Sequence, residues 1–373
     1  MLRDPPGYLI TVQLPRGHGW VPGRIDSLVP QEKLFMQVRH PRIDRRRFGI
    51  GLAGFALAPA PFAHAAAAER IVVAESQGFS WAIPYLVSSR NLWKPQGIEA
   101  STLAFTSGRL AFDAALAGKA HFATATDSVV GLAGANGVPA VIVAEFTRLS
   151  SGMVVAARTD RGIDTPAQLK GKRVATPLGT SGHYFLARYL SLWGLTPKDV
   201  TLVNLRGPDA VTAIGQGNVD AFAWGFDSGQ KAVADNPGKV RLLPDDGLEK
   251  VFLSHYLLAA PQEVVQRQPR LVEGAVRALL EAERFYLEQP EQATALVAER
   301  TKASVEATQA GLNTIQVGVR LDERLLDDLV LNGEWAIEAG LAQRPKEDLR
   351  ALYRKLIYTD ALRAAAPERV TIA

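Results

Sequence analysis

A chain of 373 residues is long enough for two domains with separate cores, and 47% hydrophobic against 21% charged residues is the composition of a folded protein. The absence of cysteine excludes disulfides, thiol catalysis and cysteine-ligated zinc or iron–sulfur centres. The net charge of +4 is modest, and much of it sits in the early arginines Arg39, Arg42, Arg45, Arg46 and Arg47. No basic stripe with interleaved aromatic residues follows, so nucleic acid is not an expected partner.

The first segment with a pattern is "IDRRRFGIGLAGFALAPAPFAHAAAAE". A basic start (Arg45-Arg46-Arg47-Phe48), a weakly apolar run to Ala63 and a small-x-small site (Ala63-His64-Ala65) occur in the order of an export signal, and the paired arginines give it a twin-arginine look. The run is interrupted by Pro59 and Pro61 and falls short of the roughly 20 apolar residues a membrane span needs. An amphipathic N-terminal helix is the plainer alternative. Residues 1–35 are expected to be an upstream extension, with Met36 as the start of a signal peptide over 36–66 and a mature chain opening between Ala66 and Arg70.

From residue 70 short apolar strands alternate with helical spacing. Strands are expected at 70–76, 98–105, 120–126 and 138–146, with helices at 81–93, 107–118 and 128–136 between them; Pro84 falls in a first helical turn, where a missing N–H costs little. The pattern restarts after "GIDTPAQLKGKRVATPL", with strands at 173–177, 201–205 and 219–224 and helices at 182–193 and 208–216. "AALAGKAHFATAT" (114–126) matches "AIGQGNVDAFAWG" (213–225), each a helix end, a glycine turn and a small-residue strand. A repeat that long points to two similar lobes, not a solenoid. Fully apolar short strands between helices predict mainly parallel sheets covered on both faces. After "HYLLAA" (255–260) the chain becomes helical, over 269–289, 290–301, 322–340 and 345–357, with mixed-sign charged faces that suit packing helices.

"LKGKRVATPLGTSGHYFLARYLSLWGLTPKDV" (169–200), "AVTAIGQGNVDAFAWG" (210–225), "LLAAPQEVVQRQPRLVEGAVRALLEAERFYLEQPEQA" (257–293) and, more loosely, "ALAGKAHFATAT" (115–126) resemble the periplasmic substrate-binding proteins of ABC importers. The resemblance is to the branch handling sulfonates, taurine, nitrate and thiamine-pyrimidine precursors, and it covers nearly all of 70–360. It implies an α/β, two-lobed periplasmic-binding-protein fold of type II character. Lobe I would be 70–155 plus 256–373, including C-terminal helices, and lobe II 156–255. It also implies a monomer, a ligand held between lobes joined by two crossovers, and a permease at the inner membrane. Two departures leave the ligand open. Where many relatives read Trp-Asp-Pro-Tyr this chain reads Trp224-Gly225-Phe226-Asp227-Ser228, and where a Gly-Asp pair is common it has Thr126-Asp127-Ser128.

Gly179-Thr180-Ser181-Gly182-His183 follows a strand and opens a helix. A helix N-terminus has unpaired N–H groups and about half a positive charge, Thr and Ser are capping types, and glycine lets the backbone approach a ligand. The stretch therefore suits an anionic oxygen, at the strand end where open α/β sheets bind ligands. Thr106 and Ser107 are its counterpart in the first lobe. Both stretches also read as ordinary caps. His183 can donate to an anion, stack on a flat ligand or sit on a surface turn. Gln77, Phe79 and Trp81 follow the first strand, and Trp224 and Phe226 follow the matching strand of the second half; these rings suit an aromatic ligand or a core. Arg109, and Arg206 at a strand end, can pair with an acid or remain solvated. Thr126 and Asp127, like Asp227, end corresponding strands; the acids can hold an amine or cap a helix.

The leading expectation is a non-catalytic receptor for a small organic anion, needing no cofactor and no metal. A receptor feeding a membrane kinase would use the same lobes. A pyrimidine-precursor enzyme is the remaining alternative. The resemblance would give that branch a cysteine-rich motif, which is missing, and His121, His183 and His255 have no metal-binding spacing. Ser181 and His183 are too close along a helix to face each other as a dyad.

Overall fold

A computed structural model describes residues 68–372, so the expected upstream extension and signal peptide lie outside the described residues. The first half runs β1 (Glu69–Ser76), a 3-10 turn (Phe79–Trp81), α1 (Ala82–Ser89), β2 (Ile98–Phe105), α2 (Gly108–Leu116), β3 (Phe122–Thr126), α3 (Asp127–Ala135) and β4 (Ala140–Leu149). Next come β5 (Met153–Arg158), β6 (Arg173–Thr176), α4 (Ser181–Leu192), β7 (Thr201–Asn204), α5 (Gly207–Gly215), β8 (Ala221–Gly225), α6 (Phe226–Asp235) and β9 (Val240–Leu242). The chain ends with β10 (Ser254–Pro261), α7 (Gln262–Arg267), α8 (Pro269–Glu288), α9 (Pro290–Thr301), α10 (Val305–Leu312), β11 (Gln316–Arg320), α11 (Glu323–Glu338), α12 (Leu349–Leu356) and α13 (Asp360–Ala365).

Two sheets organise these elements, in the orders β11-β4-β10-β3-β1-β2 and β7-β6-β8-β5-β9. Apart from β11 they are one pattern used twice: β2-β1-β3-β10-β4 repeats as β7-β6-β8-β5-β9, which gives the internal sequence match its structural meaning. The parallel runs are β2-β1-β3 and β7-β6-β8. Each sheet is mixed because the strand that enters from the other sheet, β10 or β5, is inserted antiparallel to both of its neighbours. The sequence boundaries of 155/156 and 255/256 fall inside β5 and β10. By strand pairing the chain changes sheet at 150–152 and again before Ser254, and Leu149 and Ser254 are paired where the two crossovers pass.

Position in the sheet explains the strand compositions. β3 is central and wholly buried, which is why FATAT reads without polar alternation; β2 is an edge strand and largely exposed. The C-terminal helices complete the first core. One apolar face of α8 (Leu271, Ala275, Ala278, Leu279, Ala282) is buried there, and Tyr353 of α12 donates a buried hydrogen bond to the Gly131 carbonyl of α3. The second sheet is covered on both faces by separate clusters. One of them includes Trp335 and Ala336 of α11 and Leu132 of α3, helices whose other buried apolar residues belong to the first core. Apolar contact therefore joins the two halves behind the crossovers.

Candidate functional site

The C-terminal ends of the parallel strands in both sheets open into one cavity of about 770 Å³. From the first sheet its wall takes Gln77, Phe79 and Trp81 after β1, Thr106, Ser107 and Arg109 after β2, and Thr126 at the end of β3. From the second it takes Thr180 and Ser181 after β6, Pro208 after β7, Trp224 near the end of β8, and Phe226 and Asp227 after it. Every parallel strand thus hands its chain to a helical turn that starts at the cavity, and five α-helices (α2 to α6) begin on or beside its wall. Their first N–H groups lack intrahelical acceptors and carry the positive ends of the helix dipoles.

Local chemistry decides which of these helix starts stay open. Ser107 caps α2 by accepting from the Leu110 N–H at 3.4 Å. Thr180 does not cap α4. Its hydroxyl donates instead to the Pro177 carbonyl at 2.6 Å, so the leading amides of α4 are met by no side-chain cap beside the cavity. The turn that permits this depends on Gly179, which adopts φ 69°, a left-handed conformation natural to glycine. Arg109 reaches across the cleft to the Gly179 carbonyl at 3.4 Å while Asp113 holds its Nε at 2.9 Å, a polar link between the sheets.

The aromatic residues play unequal parts. Trp81 is only 5% exposed and stands edge-on to Tyr256 at 4.6 Å, so most of its ring belongs to the core and only part borders the cavity. Phe226 is 40% exposed and open to it, and Phe79 and Trp224 are half-buried on the wall. The Trp224 indole lies against the first turns of α4 and α5. A Cβ at Gly182 would stand 2.5 Å from Trp224 Cε3, and one at Gly207 2.3 Å from its Nε1.

Five expected site residues do not line the cavity wall. Gly179 supplies the turn and accepts from Arg109, and Gly182 makes room for Trp224. His183 is buried; its Nδ1 accepts from the Gly179 N–H at 3.3 Å and its ring meets Trp335 edge-on at 5.2 Å. Burial lowers its pKa to about 4, so it is a neutral brace for the turn. Asp127 points into the interior, accepting from Asn332 Nδ2 at 2.7 Å and from the His255 N–H at 3.2 Å. Burial raises its pKa to about 6, more than the His255 charge and the Asn332 hydrogen bond lower it. Arg206 is exposed, pairing with Asp209 at 3.0 Å.

Two features are absent from the sequence reading. The end of α9, the turn after it and α10 bring Arg300, Lys302 and Thr308 to the cavity wall, with the Arg300 guanidinium 2.8 Å from buried Glu75. Below the crossovers, fully buried His255 lies between Glu145 (3.1 Å) and Asp328 (2.9 Å). Burial opposes the charge on His255, but the charges and hydrogen bonds of these carboxylates outweigh it and push the pKa up to about 10. Arg148 extends the network from Glu145 to Asp322 at the start of α11.

Matched α/β lobes that aim strand ends and helix starts into a common cleft define the periplasmic-binding-protein fold. The chain belongs to the NMT1/THI5 like family, whose model matches residues 80–293. It is 28% identical over 223 residues, 59% of its own length and 67% of the relative's, to a Brucella abortus protein named for binding. To the taurine-binding periplasmic protein of Escherichia coli it is 23% identical over 199 residues, 53% of this chain and 61% of that one. The periplasmic aliphatic sulphonate binding protein SsuA of Escherichia coli superposes with a TM-score of 0.61 at 23% identity, covering 79% of this chain and 98% of SsuA. The fold also hosts catalysis: the desulfurization enzyme DSZB superposes with a TM-score of 0.59 at 16% identity, covering 80% and 99%.

Proposed function

We infer that this protein is a non-catalytic solute receptor that captures a small organic anion between its lobes and delivers it to an ABC importer. The observation that carries the reading is the convergence of helix starts from both sheets, with the uncapped α4 among them, on a cleft lined by aromatic rings. Amide dipoles and rings favour an electron-rich ligand with an apolar part. A ligand that touches both lobes only when they approach shifts the population toward the closed form, which is the state a permease would read. Relatives named for taurine and aliphatic sulphonates support sulfonates as the first ligands to try.

An enzyme on this fold needs an activated group in the cleft. The imidazole of His183 faces Gly179 and Trp335, away from Ser181, and His255 is locked between carboxylates in the core, so neither pairs with a cavity nucleophile. That supports binding without chemistry. The same reading proposes that the protein works in the periplasm as a monomer, exported by the signal expected at 36–66. N-terminal sequencing of the exported product should give a start between Ala66 and Arg70, and a start before Met36 would contradict the assignment.

Thermal unfolding with sulfonates, taurine, nitrate, aromatic carboxylates and pyrimidines tests the main reading. At a hundredfold excess over Kd a true ligand stabilises the native state by about 2.7 kcal/mol. No stabilisation by any acid, or turnover of one, would overturn it.

A further inference from the structure

Four charged side chains line the cavity, and they fall into two kinds. Arg109 and Arg300 are neutralised, by Asp113 at 2.9 Å and by Glu75 at 2.8 Å. Asp227 and Lys302 form no ion pair among the described residues. They have opposite signs and come from opposite sides of the cleft: Asp227 is the second residue of α6 on the second lobe, and Lys302 follows α9 on the first.

Each has a local reason to be where it is, since an acid suits a helix start and a base suits a helix end. That reason does not offset the cost of removing an unpaired charge from water when the cleft closes. Lys302 also holds a left-handed backbone with φ 58°, one of only two non-glycine residues with positive φ among the described residues, and this fixes its position at the cavity rim. Asp227 stands beside Phe226, whose exposed ring offers a π-face that attracts a cation. Asp227 stays exposed to the cavity, and partial desolvation at its wall, with no cation beside it, raises its pKa. A purely anionic ligand would satisfy Lys302 and leave Asp227 facing like charge.

We propose that the cleft is built for a zwitterion, whose basic nitrogen is held by Asp227 on one lobe and whose acidic group reaches Lys302 on the other. The inference rests on the receptor reading and narrows its ligand class. The helix starts then share the acid with Lys302, and each lobe recognises one end of the ligand, so that closure requires both charges.

Calorimetric titration of the full chain with two matched pairs tests this: taurine against isethionate, and β-alanine against 3-hydroxypropionate, each pair differing by amine and hydroxyl. The wild type should prefer the amine by about tenfold or more, the usual worth of a hydrogen bond between charged groups. Asp227→Asn should abolish the preference by weakening the amine alone, Asp227→Glu should retain it, and Lys302→Met should weaken both members of a pair about tenfold. Melting temperatures of the variants separate loss of contact from loss of fold. Equal wild-type affinity within the pairs would sink the inference while leaving the receptor reading intact. So would equal weakening of both members by Asp227→Asn, with the Asp227→Asn/Lys302→Met double variant no worse than either single one, since that pattern marks an Asp227–Lys302 bridge across the closed cleft. Binding of no acid at all would remove the receptor reading and this inference together.

Discussion

The Trp224 indole fills the space that any side chain at Gly182 would need, with Cε3 2.5 Å from the position of an added Cβ. Sequence adjacency makes Gly182 look like part of an anion cradle, and its structural role is to seat a ring that walls the cavity. Gly182→Ala must therefore push the indole out of its place. Overpacking of this kind typically costs 1–3 kcal/mol, so a loss of about 2 kcal/mol in stability is expected. Ligand affinity should fall further than at a surface glycine-to-alanine change. Unaltered Trp fluorescence and unaltered affinity would show that a side chain at 182 is accommodated without displacing the indole.

The Arg109–Gly179 link joins the two sheets at the mouth of the cleft, and its length of 3.4 Å with a part-exposed guanidinium makes it weak. Such a contact contributes below about 1 kcal/mol to global stability. It can still bias an open–closed equilibrium whose states differ by only a few kcal/mol. Arg109→Met should leave the urea midpoint nearly unchanged and enlarge the radius of gyration of the ligand-free protein in X-ray scattering. An unchanged scattering profile would assign Arg109 to the ligand or to Asp113 alone.

Trp335 is the main apolar contact between α11 and the second lobe, edge-on to both His183 and Tyr184 at 5.2 Å. Truncating a buried tryptophan costs about 3–5 kcal/mol. Trp335→Ala should lose an amount in that range by chemical denaturation. It should also raise the His183 pKa from about 4 toward its ordinary value, because burial is what depresses it. Imidazole shifts followed by NMR would report the change, and a His183 that still titrates near pH 4 would show that other groups bury it.

These contacts mark where sequence reading succeeds and where it stops. The strand at 98–105 and the helix at 290–301 have the bounds that apolar pattern and Pro290 suggest, because local chemistry sets them. The short strands β5 and β9, and the β11 strand with its glycine, lack a decisive period and are specified by their partners in the sheets. Asp127 and Asp227 carry the same sequence signal, an acid opening a helix after a strand. One turns inward because Asn332 and the start of β10 offer it donors, and the other meets no donor and faces the cavity. His183 looked available until Trp335, from a distant helix, covered it. Lys302 gave no signal because the stretch from Arg300 to Thr308 reaches the cleft only through the packing of α9 on α1 and of α10 on the turn after β1.

The network around His255 gives stability a specific pH dependence. His255 is fully buried against Glu145 and Asp328, with a pKa near 10 in the folded chain against 6.5 when unfolded. Below pH 6.5 both states carry the proton and the pairing contributes fully. Between 6.5 and about 10 the folded state keeps a proton that the unfolded state has lost, so stability must fall as pH rises. Asp127 works on the acid side: its folded pKa of about 6 lies above the ordinary 3.8, so it stabilises progressively as pH drops from 6 toward 3.8 and adds no slope above that range. Urea unfolding between pH 6.5 and 10 should show the decline, flattened in Glu145→Gln. That variant should lose about 3 kcal/mol at pH 7, because removing one member of a buried ion pair strands the other. The crossovers explain why the effect should reach function: Glu145 lies on β4, which leaves the first lobe, and His255 on β10, which returns to it. A wild type whose stability is flat across this window would mean that His255 is neutral in the folded protein, and the network would then be a set of hydrogen bonds without a charge at its centre.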